Sequence, residues 1–301
     1  AAKSEWAPPV SVIVPTKNSA RTIERCLSSV RGQSYPKIEL IVVDGGSTDG
    51  TPEIAAKFAD RVVEHSSERS EARNLGAKIS SGAYLLFLDS DMILSPRVIE
   101  ECVGAAEKGL DALYVPERIV GSSFWTKVRD FERGFYTGTV IDAVRFMRRE
   151  LFEGVGGFDE SLVAGEDWDL DRRIREAGGK VGVISSPLYH DEGEFDMKRY
   201  LKKKGYYSGE GFPKYAEKWN HDEVVRKQLG AGYRLFWVFA EKGKWRRLLS
   251  HPVLAAGMYY LRFRVGLEYV RSRGKERASP YRTANMGMSA RQRRHENKKW
   301  Q

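Results

Sequence analysis

Cysteine is nearly absent: two in a chain of 301 residues cannot build a disulfide framework, and they point to no oxidising compartment. No run of 18 apolar residues occurs, which argues against a membrane-spanning helix within this chain. The longest charge-free stretch of the basic C-terminal part, Leu248 to Leu261, is 14 residues long and is interrupted by Ser250, His251 and Pro252. The segment Ala1 to Pro9 has no apolar h-region, so no signal peptide is expected. The first residue is not Met, the expected mark of a processed or engineered end. No internal repeat is evident. What is present is 41% apolar and 30% charged residues, enough for a packed core and against global disorder. The length admits one large domain or two small ones.

Charge is unevenly spread. Residues 199–301 hold 25 Lys and Arg against 8 Asp and Glu, a net +17, whereas residues 1–198 carry −8. Such asymmetry points the basic part at a polyanion or an anionic membrane surface. The acidic part argues against a chain-wide nucleic-acid footprint and turns attention to metal binding or acid–base chemistry.

The first hundred residues alternate in period. Ser11–Pro15, Ile38–Val43, Arg61–Glu64 and Ala83–Leu88 read as strands. Helices are expected over 18–31, after Thr48 or Asp49, and over 70–79, with Asn18 or Ser19 capping the first. This pattern predicts a mostly parallel sheet flanked by helices, with ligands beyond the C-terminal strand ends. Asp44 and Asp89 both fall at such ends. Further on, a helix is expected over 98–108, strands over 112–116, 140–148 and 180–185, and a helix over 167–177. Residues 120–138 are aromatic and Gly-rich. From Arg199 onward the pattern predicts basic amphipathic helices, with Trp and Tyr at headgroup level, over 199–270. A polar, mobile tail is expected over 271–301.

Several clusters carry candidate chemistry. Asp89-Ser90-Asp91 pairs two carboxylates, suited to Mg²⁺ or Mn²⁺, although such Asp residues also form turns. Asp44-Gly45-Gly46-Ser47 reads either as a tight turn or as a backbone open to a nucleotide. Arg73, on a predicted helix, is either a solvated charge or a partner for a diphosphate. Gly165-Glu166-Asp167 begins an acidic helix, favoured by the helix dipole or used as a general base. His190 follows a strand and is a candidate third metal contact.

Taken in order, Pro15-Thr16-Lys17-Asn18, Val43 to Asp49, Ala72-Arg73-Asn74, Leu88 to Asp91, Gly156 to Glu160 and Gly165-Glu166-Asp167 resemble the family 2 glycosyltransferases. The resemblance covers residues 10–195. It implies an α/β GT-A fold over residues 1–198, a nucleotide-binding half near 10–100 and an acceptor half near 101–198. It further implies that Pro15, Thr16, Asp44 and Gly45 line the base and ribose pocket. Arg73 and Ser90 belong to the donor site by the same resemblance. Asp89 would contact the ribose or the metal, Asp91 and His190 would hold Mn²⁺ or Mg²⁺ with it, and Asp167, with Glu166 beside it, would be the catalytic base. The Gly156–Asp159 turn would shape the acceptor side. No Gln-x-x-Arg-Trp segment follows residue 195, which weakens a processive reading.

The implied reaction moves a hexose from a GDP- or UDP-sugar, GDP-mannose being slightly favoured, with inversion. A carboxylate pair at 166–167 favours a hydroxyl acceptor over a phosphate, which needs no base. The basic third makes a lipid-linked polyprenyl or dolichyl glycan the expected acceptor. The expected location is the cytoplasmic face of the cell membrane, peripheral or anchored by a segment outside this chain. The alternatives are a polyprenyl-phosphate glycosyltransferase and, from another class, a nucleic-acid-binding protein, which leaves the six segments unexplained.

Overall fold

The computed structural model describes residues 7–206 and 211–278. Among the described residues ten strands form two sheets: β1 (Val10–Thr16), β2 (Ile38–Asp44), β3 (Arg61–Glu64), β4 (Tyr84–Phe87), β5 (Met92–Leu94), β6 (Ala112–Tyr114), β7 (Glu117–Ile119), β8 (Phe146–Arg148), β9 (Val181–Val183) and β10 (Leu188–His190). The larger sheet runs β3-β2-β1-β4-β8-β6-β9. β1 pairs in parallel with β2 and β4, and β2 with β3, as the alternating pattern predicts. β8 breaks the pattern by lying antiparallel between β4 and β6.

Every residue of β1 is buried. The strand's period-2 alternation divides it between two cores. Val10, Val12 and Val14 meet Ile23, Cys26, Leu27 and Val30 from the helix Ile23–Arg31. Ile13 faces the other way, with Ala77, Phe87, Phe152 and Phe158. There the helix Arg69–Ile79 comes so close that a Cβ on Gly76 would strike Ile13 Cγ2. Glycine is what lets this helix lie flat on β1 and point Arg73 at the strand ends. Both cysteines, Cys26 and Cys102, are free and buried.

Several expected boundaries move. The first helix begins at Ile23, not Asn18, because Asn18 takes a left-handed φ of 48° and uses its side chain to accept from Thr48 N at 2.9 Å. Residues 140–145 are not strand; Asp142 turns the chain by accepting from Gly138 N and Ala143 N, leaving only Phe146–Arg148 paired. The aromatic 120–138 stretch contains the helix Phe124–Arg133, capped by Ser123 Oγ on Thr126 N at 3.1 Å.

The C-terminal part packs on this frame. Trp219 Nε1 donates to Asp169 at 3.0 Å, and Arg172 covers the Trp219 ring at 3.7 Å, so 212–229 wraps the helix Glu166–Glu176. The long helix Pro252–Ala278 lies on Phe124–Arg133, burying Ala255, Met258 and Leu261 against Val128, Phe131 and Phe135. It is not the amphipathic helix expected: its outward positions Val253, Ala256, Tyr260, Phe263 and Leu267 are exposed and also apolar. It runs through the first eight residues of the expected tail, and 279–301 lie outside the described residues.

Because Ile13 is fully buried and has no room to yield, Gly76→Val is expected to cost about 1–3 kcal/mol, measured by urea unfolding.

Candidate active site

The smaller sheet, β5-β10-β7, assembles the first half of the site from three distant segments. β10 pairs with β5 and β7, setting His190 opposite Met92 and Ile119. His190 therefore stands between Asp91, just before β5, and Glu117, the first residue of β7. Its Nε2 lies 3.1 Å from Asp91 Oδ2 and its Nδ1 2.9 Å from Glu117 Oε1. Burial disfavours the imidazolium, but the hydrogen bonds and charges of Asp91 and Glu117 outweigh it and lift His190 to about 10. Neighbouring Asp191 is held by Arg21 at 3.1 Å and Arg25 at 2.9 Å, which ties this strand end to the first helix.

Glu117 is buried and accepts from Arg133 and, at 3.3 Å, from Arg145. Burial opposes its charge, yet Arg133, His190 and Arg145 hold its carboxyl well below the ordinary range. Arg145 reaches onward to Asp89 Oδ2 at 3.7 Å.

The second half centres on Arg73, only 1% exposed. Its Nη2 donates to Asp89 Oδ1 at 2.7 Å and its Nη1 to Asp167 Oδ1 at 2.9 Å. Glu166 Oε1 lies 3.7 Å from the same guanidinium and also accepts from Arg69. Burial works against the Asp89 charge, but Arg73, Arg145 and Arg69 together hold that carboxyl far below its usual range. Burial and the adjacent Asp167 charge push Glu166 upward, against the pull of Arg69 and Arg73. Asp167 keeps 30% of its side chain exposed, so a carboxylate oriented by a buried guanidinium is open to an incoming hydroxyl.

The Gly156–Asp159 turn supports Arg73 from below. The Phe158 ring lies 5.0 Å from the guanidinium carbon. Asn74 pins the turn, accepting from Phe158 N and donating to Phe158 O, both at 2.9 Å. Gly157 has φ +70°, and a Cβ there would sit 2.8 Å from Asn74 Oδ1. The turn expected on the acceptor side thus also serves the interior of the site.

The expected donor residues lie along one rim. Asp44 is 1% exposed and holds its own loop, accepting from Ser47 N at 2.8 Å and Ser47 Oγ at 2.6 Å. Gly45 N donates to Thr16 O at 2.8 Å, joining the ends of β1 and β2. Pro15 and Thr16 are buried, and Thr16 Oγ1 has no hydrogen-bond partner. Ser90 Oγ lies 2.9 Å from Ser19 Oγ.

The three expected metal ligands do not converge. Asp91 and His190 meet, while Asp89 is engaged by Arg73 at 2.7 Å and faces Arg145 at 3.7 Å. Among the described residues no three His, Cys, Asp or Glu side chains are grouped to hold an ion. His190 is held as an imidazolium between Asp91 and Glu117, so Mg²⁺ or Mn²⁺ could bind beside Asp91 through this imidazole only with loss of its Nε2 proton, the rest of the shell coming from phosphate oxygens and water. The Glu117 contact on His190 Nδ1 is the outer partner that orients a metal-binding imidazole. Glu117, Arg133, Arg145 and Arg69 were not singled out in the sequence. Glu117, Arg133 and Arg145 stand alone there, without a motif, and the pairing of β10 with β7 and the insertion of β8 bring them to the site, whereas Arg69 lies one helical turn before Arg73 and that spacing was the signal for it.

The mostly parallel sheet, the carboxylates beyond its strand ends and the acidic helix start define a GT-A glycosyltransferase. A family model, Glycosyl transferase family 2, matches residues 11–156. The chain is 33% identical over 221 residues to Glycosyltransferase AglE of Haloferax volcanii, spanning 66% of this chain and 73% of that protein. It is 31% identical over 179 residues to a PGL/p-HBAD biosynthesis glycosyltransferase of Mycobacterium tuberculosis, 56% of this chain and 70% of that one. The chain belongs to glycosyltransferase family 2. Solved structures share its fold, among them the following two. One is the mannosyltransferase PcManGT from Pyrobaculum calidifontis, in complex with GDP-Man and Mn²⁺, with a TM-score of 0.59 at 21% identity over 89% of this chain and 88% of that one. The other is S. aureus TarS 1-349 in complex with UDP-GlcNAc, with a TM-score of 0.54 at 20% identity over 87% and 89%.

Arg73→Met leaves Asp89, Glu166 and Asp167 converging without their shared cation, and is expected to cost about 3–5 kcal/mol in urea unfolding. Arg73→Lys keeps a charge but not the fork, and is expected to fall between that variant and the parent.

Proposed function

We propose that the chain transfers a hexose from a nucleoside-diphosphate sugar to a hydroxyl of a lipid-linked glycan, by one inverting displacement. The observation that carries this reading is the single guanidinium of Arg73, which joins the donor-side Asp89 to the exposed carboxylate of Asp167. Both carboxylates, the proposed base and the donor-side one, are thereby held on one guanidinium.

Asp91, joined by His190 once its Nε2 proton is lost, would hold a divalent cation, which when bound would supply charge stabilisation to the departing diphosphate. Asp167 takes the proton from the acceptor hydroxyl as that oxygen attacks the anomeric carbon from the face opposite the leaving group. The sugar passes through an oxocarbenium-like state, so dispersed positive charge faces the exposed Asp167 carboxylate, with Glu166 buried behind it. Arg73 keeps Asp167 oriented through its Nη1 hydrogen bond. GDP-mannose is the donor we favour, with UDP-hexoses next. The proposed site of action is the cytoplasmic membrane face, whose anionic surface attracts the Lys and Arg of the C-terminal third.

A donor panel of GDP-mannose, UDP-glucose and UDP-N-acetylglucosamine, with Mn²⁺ and a membrane lipid extract, tests the reading. The parent chain is expected to label lipid with one donor, EDTA to abolish transfer, and Asp167→Asn to slow it by about 10²–10⁴-fold. Failure to bind any of these donors, with or without metal, would sink the assignment of this site.

A further inference from the structure

We infer that the outward face of the helix Pro252–Ala278 seats the protein on an anionic bilayer, with the helix lying in the interface plane. The helix is apolar on two faces, and only one is used inside the molecule. Ala255, Met258 and Leu261 face inward to the aromatic core. Val253, Ala256, Tyr260, Phe263 and Leu267 recur every three or four residues on the other side, the spacing of one continuous stripe. Val253 is 68% exposed and Phe263 64%, values that folding leaves unexplained. At 1.5 Å per residue the stripe is about 21 Å long.

Neighbouring elements add exposed apolar side chains. Trp245 and Leu249 are four residues apart on the preceding helix, Trp245–Ser250, and both are exposed. At the stripe's flank Tyr260 stacks on Trp125, with ring centroids 5.6 Å apart, and Trp125 meets the exposed Phe124 at 5.1 Å.

Charge selects the occupant. Between Glu241 and Glu268 every charged residue is Lys or Arg; Arg262 is spent on Glu132 and Lys244 on Glu241 inside the fold, and Lys242, Arg246 and Arg264 carry the charge offered to a surface. An all-basic segment repels a second copy of itself and is drawn to anionic lipid. Among the described residues no helix is long and apolar enough to cross a membrane, so the stripe lies on the bilayer rather than through it. The inference deepens the proposed lipid-linked acceptor and rests on that reading only for the purpose the seat serves.

The test sediments the full chain with unilamellar vesicles of phosphatidylcholine alone or mixed three to one with phosphatidylglycerol. The parent and the double variant Val253→Glu/Phe263→Glu are compared. Matching circular dichroism and unchanged donor hydrolysis verify that the variant is folded. The parent is expected to bind the mixed vesicles, to keep part of that binding in high salt, and to prefer them over phosphatidylcholine. The variant is expected to lose about tenfold or more of the partition. Equal binding by parent and variant would overturn the inference. So would a parent that ignores the mixed vesicles, or a lipid-free self-association, seen by sedimentation velocity, that the substitutions abolish. Absence of donor turnover in both proteins would strike the transferase proposal and leave the vesicle result standing.

Discussion

One buried cation organises this molecule. Arg73 is nearly inaccessible to water, and a lone guanidinium in that position would be costly. Asp89 and Asp167 make the burial tolerable, and the cation in turn makes their convergence tolerable, so none of the three holds its place without the others. Much of the surrounding structure serves that arrangement. Gly76 lets the Arg73 helix lie on β1, Asn74 and the positive-φ Gly157 hold the Phe158 turn beneath the guanidinium, and Arg69 relieves the third carboxylate, Glu166.

A second charged chain runs from Asp91 through His190 and Glu117 to Arg145, which returns to Asp89. Positive and negative groups alternate along its whole length. Alternation of this kind keeps carboxylates ionised inside a protein, and here it holds both Asp89 and Glu117 well below their ordinary range. The site is therefore prepared as a set of fixed charges before any substrate enters, which is the condition under which electrostatic catalysis needs little rearrangement.

The parallel half of the fold could be read from residues because β1, β2 and β4 are mostly apolar runs, each followed within two residues by a polar turn. Asp89, Asp91, Arg73 and Asp167 were visible for a related reason: each belongs to a compact local motif. The rest was invisible to local pattern. β8 lies antiparallel in a sheet whose neighbours are parallel, a choice made by Asp142 and the long-range pairing of Phe146 with Leu86 and Leu113. Glu117 follows a proline in an unremarkable strand and becomes functional only because β10 lies beside it. The long C-terminal helix misled for the opposite reason. Periodicity registers a contrast between faces, and a helix that is apolar inside and out has little contrast to register.

The aromatic core beneath that helix also decides how the protein can be divided. Val128, Phe131, Phe135 and Ile141 come from the catalytic part, whereas Tyr233, Val238, Phe239, Ala255, Met258 and Leu261 come from the basic third, and all ten close a single buried cluster. The change of charge near residue 199 is therefore a boundary of composition and not of packing. Cutting there would bare a wall of aromatic rings on the helix that carries Arg133 to Glu117. The catalytic part and its basic extension form one folding unit, indivisible without loss of the support behind His190.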